Sequence, residues 1–287
     1  MAGTAPRTRH SSGTSIIPDL LEPLQFSFMQ RALFGSVIVG VLCAAVGVLV
    51  VLRGLAFLGD AVAHAAFPGI VIAFLLKTNL IVGGMIAGVL ASVSMGVLVR
   101  RGRIREDTAI GVVFAGMFAL GVVLFSRIRQ FTGDLLGILL GNVLSINQEQ
   151  LVLGGVTALV VLAALRIWWR ELIFVSFDSV GAQAAGLHVF RYDTLLLALI
   201  GLTVAVSVQL VGIVLVVAML VTPAATARLF ARDMRTFLTL AVILSLVASV
   251  SGLFLSYYVN ASSGGTIVLV ATAEFVLGWL LTQITRR

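Results

Sequence analysis

Residues 58–69 read Leu-Gly-Asp-Ala-Val-Ala-His-Ala-Ala-Phe-Pro-Gly, and they sit inside an apolar run spanning about 55–76. A carboxylate (Asp60), an imidazole (His64) and a proline (Pro68) in one hydrophobic stretch decide how the chain is read. A run of this length is enough to cross the roughly 30 Å of hydrocarbon in a bilayer. Ionisable groups at that depth are costly, and they mark pathways or sites by default.

The rest of the chain supports a membrane setting. It has 287 residues, 60% hydrophobic and only 11% charged, and its mean hydropathy is +1.15. An ordinary soluble domain carries about 25% charge, so an aqueous globule and a disordered chain are both excluded. By inspection nine apolar runs cover about 33–52, 55–76, 79–99, 108–126, 151–170, 193–209, 211–230, 237–258 and 265–283. The fold expected is all-α: a polytopic bundle of eight to nine spans in the cell membrane, with the division near Val211–Gly212 weak. Residues 1–30 read as a disordered tail followed by an interfacial helix, and 31–287 as the transmembrane domain. Residues 131–146 are too short and Gly-broken to span, and read as an external half-helix or pore-lining segment.

Net charge is +7. The basic residues lie mostly between apolar runs, as in cytoplasmic loops facing anionic lipid rather than in a nucleic-acid surface. Arg100, Arg101, Arg103 and Arg105 form one such loop, Arg228, Arg232 and Arg235 another, and Arg286 and Arg287 end the chain. With all three inside, nine crossings place the N-terminus outside; Arg7, Arg9 and Arg31 pull weakly the other way. Cys43 stands alone in an apolar run, so neither a disulfide framework nor a thiolate metal site is available.

Asp60 and His64 are spaced i, i+4, which puts them on one helix face about 6 Å apart along the axis. His64 lies about 16 Å of helix beyond Arg53, near the midplane. Carboxylate and imidazole together suit Mn²⁺, Zn²⁺ or Fe²⁺. Pro68 has no N–H, so the His64 carbonyl loses its helical partner and must face a cavity or another donor; Gly69 extends the break. The alternative is a hydrogen-bonded pair that fixes helix packing. Two ligands are too few for a closed site, which suits a conduit or a site shared by two subunits. Glu274 also falls within an apolar run, either against a neighbouring helix or near an external vestibule. Gln209, Thr222 and Asn142 read as interhelical hydrogen-bonding residues, and Pro223 as a kink or end of a span. An intramembrane aspartyl protease is excluded by motif and order, since Phe57 stands where a glycine is needed. His-Glu-x-x-His and phosphate-loop motifs are absent, so any nucleotide that drives the chain binds elsewhere.

The stretch Gly59–Leu76 resembles the membrane-subunit signature of ABC-type importers of divalent metals, Gly-Asp-Ala-x-x-His-x-x-x-Pro-Gly, which Gly59, Asp60, Ala61, His64, Pro68 and Gly69 match. The similarity continues through 105–124, 134–146, 178–193, 211–230 and 263–275. The resemblance implies a homodimeric permease, two cytoplasmic ATP-binding subunits and an extracytoplasmic metal-binding protein that delivers the ion. Asp60 and His64 then match the metal-pathway pair. Within a cytoplasmic connection of about 171–192, Asp178–Leu187 (with Gly181, Ala182, Gln183 and Gly186) matches the coupling helix that touches the ATPase. Glu274 replaces the usual apolar residue and inherits no role. The ion would be cargo, with no cofactor bound permanently and no catalysis by this chain, and protonation of the imidazole would oppose metal binding at acid pH. Manganese is favoured over zinc and iron because no Cys or His-rich loop is present. A proton-coupled secondary transporter using Asp60 and Glu274, or an ABC permease for a metal chelate, are the competing readings.

Overall fold

The structure, a computed structural model, describes residues 22–102, 104–128 and 143–285. Eleven α-helices account for most of them: α1 (Ser27–Arg53), α2 (Ala56–Ala65), α3 (Phe67–Leu75), α4 (Leu80–Gly102), α5 (Glu106–Ser126), α6 (Gln148–Phe177), α7 (Ser179–Ala184), α8 (Val189–Val211), α9 (Ile213–Phe230), α10 (Met234–Val259) and α11 (Ser263–Thr285). With α2 and α3 joined as one broken span, nine candidate crossings are present among the described residues. Most of the segment 131–146, expected to be a half-helix or pore lining, lies outside them (131–142, with Asn142), as does the N-terminal tail 1–21.

Following the nine crossings in order puts Arg53, Arg100, Arg101, Arg105, Arg228, Arg232 and α7 on one side, and Lys77, Arg127 and Glu149 on the other. The strongly basic side is the cytoplasmic one.

Helix ends are set by local chemistry. Gly54 ends α1 in the left-handed region (φ +72°), its N–H bonding back to Val51 O at 3.2 Å; glycine alone takes this conformation without strain. Asn147 and Gln150 form a reciprocal capping box at the start of α6, with bonds of 2.8 and 3.0 Å. The Asp233 carboxylate caps α10 by accepting from the N–H groups of Arg235 and Thr236 and the Thr236 hydroxyl, which hold its carboxyl below the usual range.

One boundary differs from the sequence reading, and two that it left open are settled. The helix α6 runs past Arg170 to Phe177, through a non-helical Trp168. Hydropathy ends where Arg170 and Glu171 begin, but the backbone continues helical into the cytoplasm, so the connection there shrinks to 178–188. Pro223 lies inside α9 and does not end it. The weak division at 211–212 is a real joint: Gly212, at φ +90°, separates two complete crossings.

The helices α1, α2–α3 and α8 form the centre of the bundle, while α5 and α11 lie at its edge. Lipid tails give helices no hydrophobic reason to associate, so close approach and polar contacts must hold them. Ser245 of α10 donates to Gly40 O of α1 at 2.8 Å, Ser92 of α4 to Leu197 O of α8 at 2.8 Å, and Gln209 of α8 to Ile81 O of α4 at 3.2 Å. Gly69 of α3 and Gly83 of α4 face one another backbone to backbone; a Cβ on either would run into the other's carbonyl.

This crossing gives a direct test. Gly83→Val forces backbone apart and is expected to lower stability in detergent by about 1–3 kcal/mol. Gly111→Ala, where a Cβ meets open space, should stay within about 0.5 kcal/mol. Thermal unfolding of the two variants beside the parent protein measures the difference.

Candidate functional site

The Asp60/His64 face arises from the way α2 is built. Gly54 turns the chain directly from α1 into α2, so Asp60 sits one turn into the membrane and His64 one turn deeper. The helix stops at Ala66, and α3 restarts with Pro68 in its first turn. Gly69 N–H and Ile70 N–H both turn to Ala66 O, at 3.1 and 3.3 Å. The break expected from Pro68 is therefore present, and it falls two residues beyond His64.

His64 Nδ1 lies 3.0 Å from the Asp60 backbone carbonyl and 3.6 Å from Asp60 Oδ1. Only the carbonyl is within hydrogen-bonding distance, so Nδ1–H donates to it. In the neutral ring this bond selects the tautomer whose Nε2 carries the lone pair, the form in which a histidine ligates metal. The imidazole is held by aromatic edges of α5: Phe114 at 5.6 Å and 87°, Phe118 at 5.8 Å and 76°. Phe67 continues this wall by packing on Phe118 and Phe125, and the absence of a side chain at Gly121 lets α5 approach the Phe67–Pro68 backbone. The ring is thus oriented by the Asp60 carbonyl at Nδ1 and by two phenylalanine edges that offer no competing lone pair.

The Asp60 side chain is 49% exposed and that of His64 30%. Phe57, a turn nearer the cytoplasm on the same face, is 77% exposed. A half-exposed carboxylate at this depth cannot face hydrocarbon without a large cost. Among the described residues, no three His, Cys, Asp or Glu side chains come together in a group able to hold a metal ion. One copy of the chain therefore presents a carboxylate and an imidazole on an open face, and no closed metal site among the described residues.

Glu274 is not brought to this face. It shares the inward stripe of α11 with Ala271 and Gly278, and Gly278 abuts Thr226 and Phe230 of α9. Both carboxyl oxygens of Glu274 are buried without a hydrogen bond to the described residues. Of the two positions open to it from sequence, the one against a neighbouring helix is the one observed. Gln209 bridges helices as expected, and the Thr222 carbonyl accepts from Thr226 Oγ1 within α9 at 2.8 Å.

The segment matching a coupling helix forms α7. Asp178 caps it by accepting from Gly181 N–H at 2.8 Å, and Gly186 (φ +86°) turns the chain toward α8. Ala182 is fully buried against Val175 and Val189. Val180 on the opposite side is 77% exposed, and Gln183 beside it is exposed as well. One face of α7 anchors it to the bundle, and the other is presented to the cytoplasm.

Sequence reasoning missed a cluster beneath this segment. Arg53 Nη1 donates to Asp193 Oδ1 at 2.8 Å and Arg53 Nε to Ser176 Oγ at 2.8 Å; Arg100 pairs with the other Asp193 oxygen. Partners this far apart in the chain leave no local spacing signal. The one available clue was an arginine at the very end of a span.

Comparison with known proteins agrees with this architecture. A solved structure described as "PsaBC from Streptococcus pneumoniae in complex with Fab" superposes with a TM-score of 0.81 at 35% identity, covering 92% of this chain and 95% of that one. An inward-facing ABC transporter structure, 16% identical, shares the fold with a TM-score of 0.66 over 96% of this chain and 92% of that one. Among curated relatives, the "Manganese transport system membrane protein MntC" of Halalkalibacterium halodurans is 38% identical over 90% of this chain and 89% of its own length. The "Manganese import system permease protein ScaB" of Streptococcus gordonii is 38% identical over 91% and 94%, and the "Chelated iron transport system membrane protein YfeD" of Yersinia pestis 38% over 92% and 88%. The family described as "ABC 3 transport family" matches residues 25–282. On this evidence the chain belongs to the ABC 3 transport family, as a multi-pass permease component of the plasma membrane.

Proposed function

We propose that this chain is the permease of an ATP-driven importer of divalent transition-metal ions, with manganese as its principal cargo. The observation that carries the reading is the Asp60/His64 pair: two donors within one span, one turn apart, on an open face beside a broken helix. Two copies related by a two-fold axis would bring two carboxylates and two imidazoles around one passage, enough for a four-coordinate or larger site. The half-exposed Asp60 is then turned to a partner and an ion instead of to lipid.

Manganese is favoured by hard oxygen and borderline nitrogen donors without thiolate, and the names of the manganese-transporting relatives support it. The relative named for chelated iron keeps iron in view as a second cargo. The bare ion is preferred over a chelate because a bulky complex needs a wide passage without ionisable side chains. In the mechanism that follows, a binding protein releases the ion at the outer face. Asp60 and His64 replace part of its hydration shell, and it leaves inward. Two ATP-binding subunits dock on the exposed face of α7, and their closure and opening switch which side the pair can see. Glu274, remote from the pair, has no part in these steps, and its separation disfavours a proton-relay mechanism.

Two experiments test this. Asp60→Ala and His64→Ala, each expressed with the ATP-binding subunits, should lose Mn²⁺ accumulation by more than the about 10–100-fold that follows loss of a supporting residue around a metal site, while the complex still assembles; unchanged uptake in both would defeat the assignment. Val180→Asp places a charge on the exposed side of α7, and it should abolish co-purification of the ATP-binding subunits without unfolding the permease. Uptake that ignores ATP depletion but collapses with the proton gradient would instead favour a secondary transporter.

A further inference from the structure

The Arg53 cluster joins two parts of the molecule that any transport cycle must connect. Arg53 is the last residue of α1, and only Gly54 and Leu55 separate it from α2, the helix of Asp60 and His64. Its two bonds run to the two roots of the coupling segment. Ser176 lies just before Asp178, the cap of α7, and Asp193 lies one turn into α8, the helix that follows it. One planar guanidinium thus bridges both flanks of α7, a fork geometry that lysine cannot reproduce.

The bonds are sheltered enough to matter. The Arg53 and Asp193 side chains are 15% and 16% exposed, and removing one member of such a pair leaves a charge without compensation. Arg100 holds the second oxygen of Asp193, and its guanidinium lies 5.9 Å over the Phe190 ring. Arg100 therefore steadies Asp193 from α4 while Arg53 reads its position from α1.

A second arrangement is available next door. Arg53, Arg100 and Asp193 line a cavity of about 80 Å³ together with Glu106. That space admits a side-chain shift but is too small for a nucleotide or a lipid headgroup. Glu106 is exposed and opens α5, the helix whose Phe114 and Phe118 hold the His64 ring. Arg53 Nη2 is buried and makes no hydrogen bond to the described residues, so the guanidinium keeps a donor in reserve.

We infer that Arg53 is the positioning residue that transmits movement of the coupling segment to the Asp60/His64 helix, exchanging Asp193 for Glu106 as the cycle turns. When α7 and its flanks are displaced, Asp193 moves relative to Arg53. The freed guanidinium is taken by Glu106 across the cavity, and α2 and α5 shift together around the imidazole. The exchange between two discrete partners is the two-state element that such coupling requires, beyond mere position between two sites. The inference rests on the importer reading above, and it adds how the two ends of that machine communicate.

The test uses the whole complex in proteoliposomes, with ATP-binding subunits and binding protein, and reads Mn²⁺ translocated per ATP hydrolysed. Arg53→Lys and Asp193→Asn should assemble and hydrolyse ATP, yet lower that ratio at least about fivefold, the low end of usual coupling between sites. Glu106→Gln, at an exposed position that the fold does not need, should lower the ratio as well. A purely structural role predicts a different pattern: hydrolysis and transport fall in proportion, the ratio stays at the parent value, and the inference is overturned. Should Arg53→Lys fail to assemble, Glu106→Gln decides alone, a parent ratio there overturning the exchange. A parent complex that moves no Mn²⁺ with ATP would bring down the importer reading and this inference with it; a transporting parent with unaltered ratios in the variants removes only the inference.

Discussion

Inside a bilayer every backbone polar group and every charge must find a partner, because water cannot supply one. The structure is organised by that demand, and by the few places, Glu274 among them, where the described residues leave it unmet. The nine described crossings keep their hydrogen bonds largely within helices, and the serine and glutamine side chains that enter the core are tied to neighbouring carbonyls. Most open of the polar places is the stretch from Asp60 to Pro68, where a carboxylate, an imidazole nitrogen and an interrupted helix meet on a face that the chain itself leaves half open. Ionisable groups at that depth mark a functional site by default, and the proposed metal pathway rests on them.

Packing around that place is organised to keep it open yet oriented. Phenylalanines of α5 fix the imidazole by their edges and contribute no donor, and backbone-to-backbone contact at Gly69 and Gly83 holds the broken span against α4. Bulk is used where direction matters and its absence where proximity matters. The same division recurs at α7, where Ala182 is sunk into the bundle and Val180 is left for another surface.

Much of this is legible in the residues. Hydropathy locates the crossings because membrane burial acts on each residue locally, and Pro68 announces its break because a missing N–H is a property of one side chain. The i, i+4 spacing of Asp60 and His64 is enough by itself to place both on one helix face. Less can be read wherever distance along the chain exceeds a few turns. Arg53 and Asp193 meet across 140 positions, and neither carries a mark of the other. The cytoplasmic length of α6 is hidden because hydropathy reports the end of the membrane and not the end of the helix. Glu274 shows the converse limit: its depth is evident, but the face it occupies depends on how α11 lies against α9.

The joint at Gly212 has a mechanical consequence. A single buried residue, in a backbone conformation closed to side-chain-bearing amino acids, links α8 and α9 at the end of α8 opposite Asp193. It can act as a pivot with α8 as its lever. Asp193 lies about 29 Å along that rod from the pivot, so a tilt of about five degrees displaces its end by about 2.5 Å. The bond to Arg53 is 2.8 Å long, so a rotation too slight to disturb the outer ends of the bundle is enough to part it.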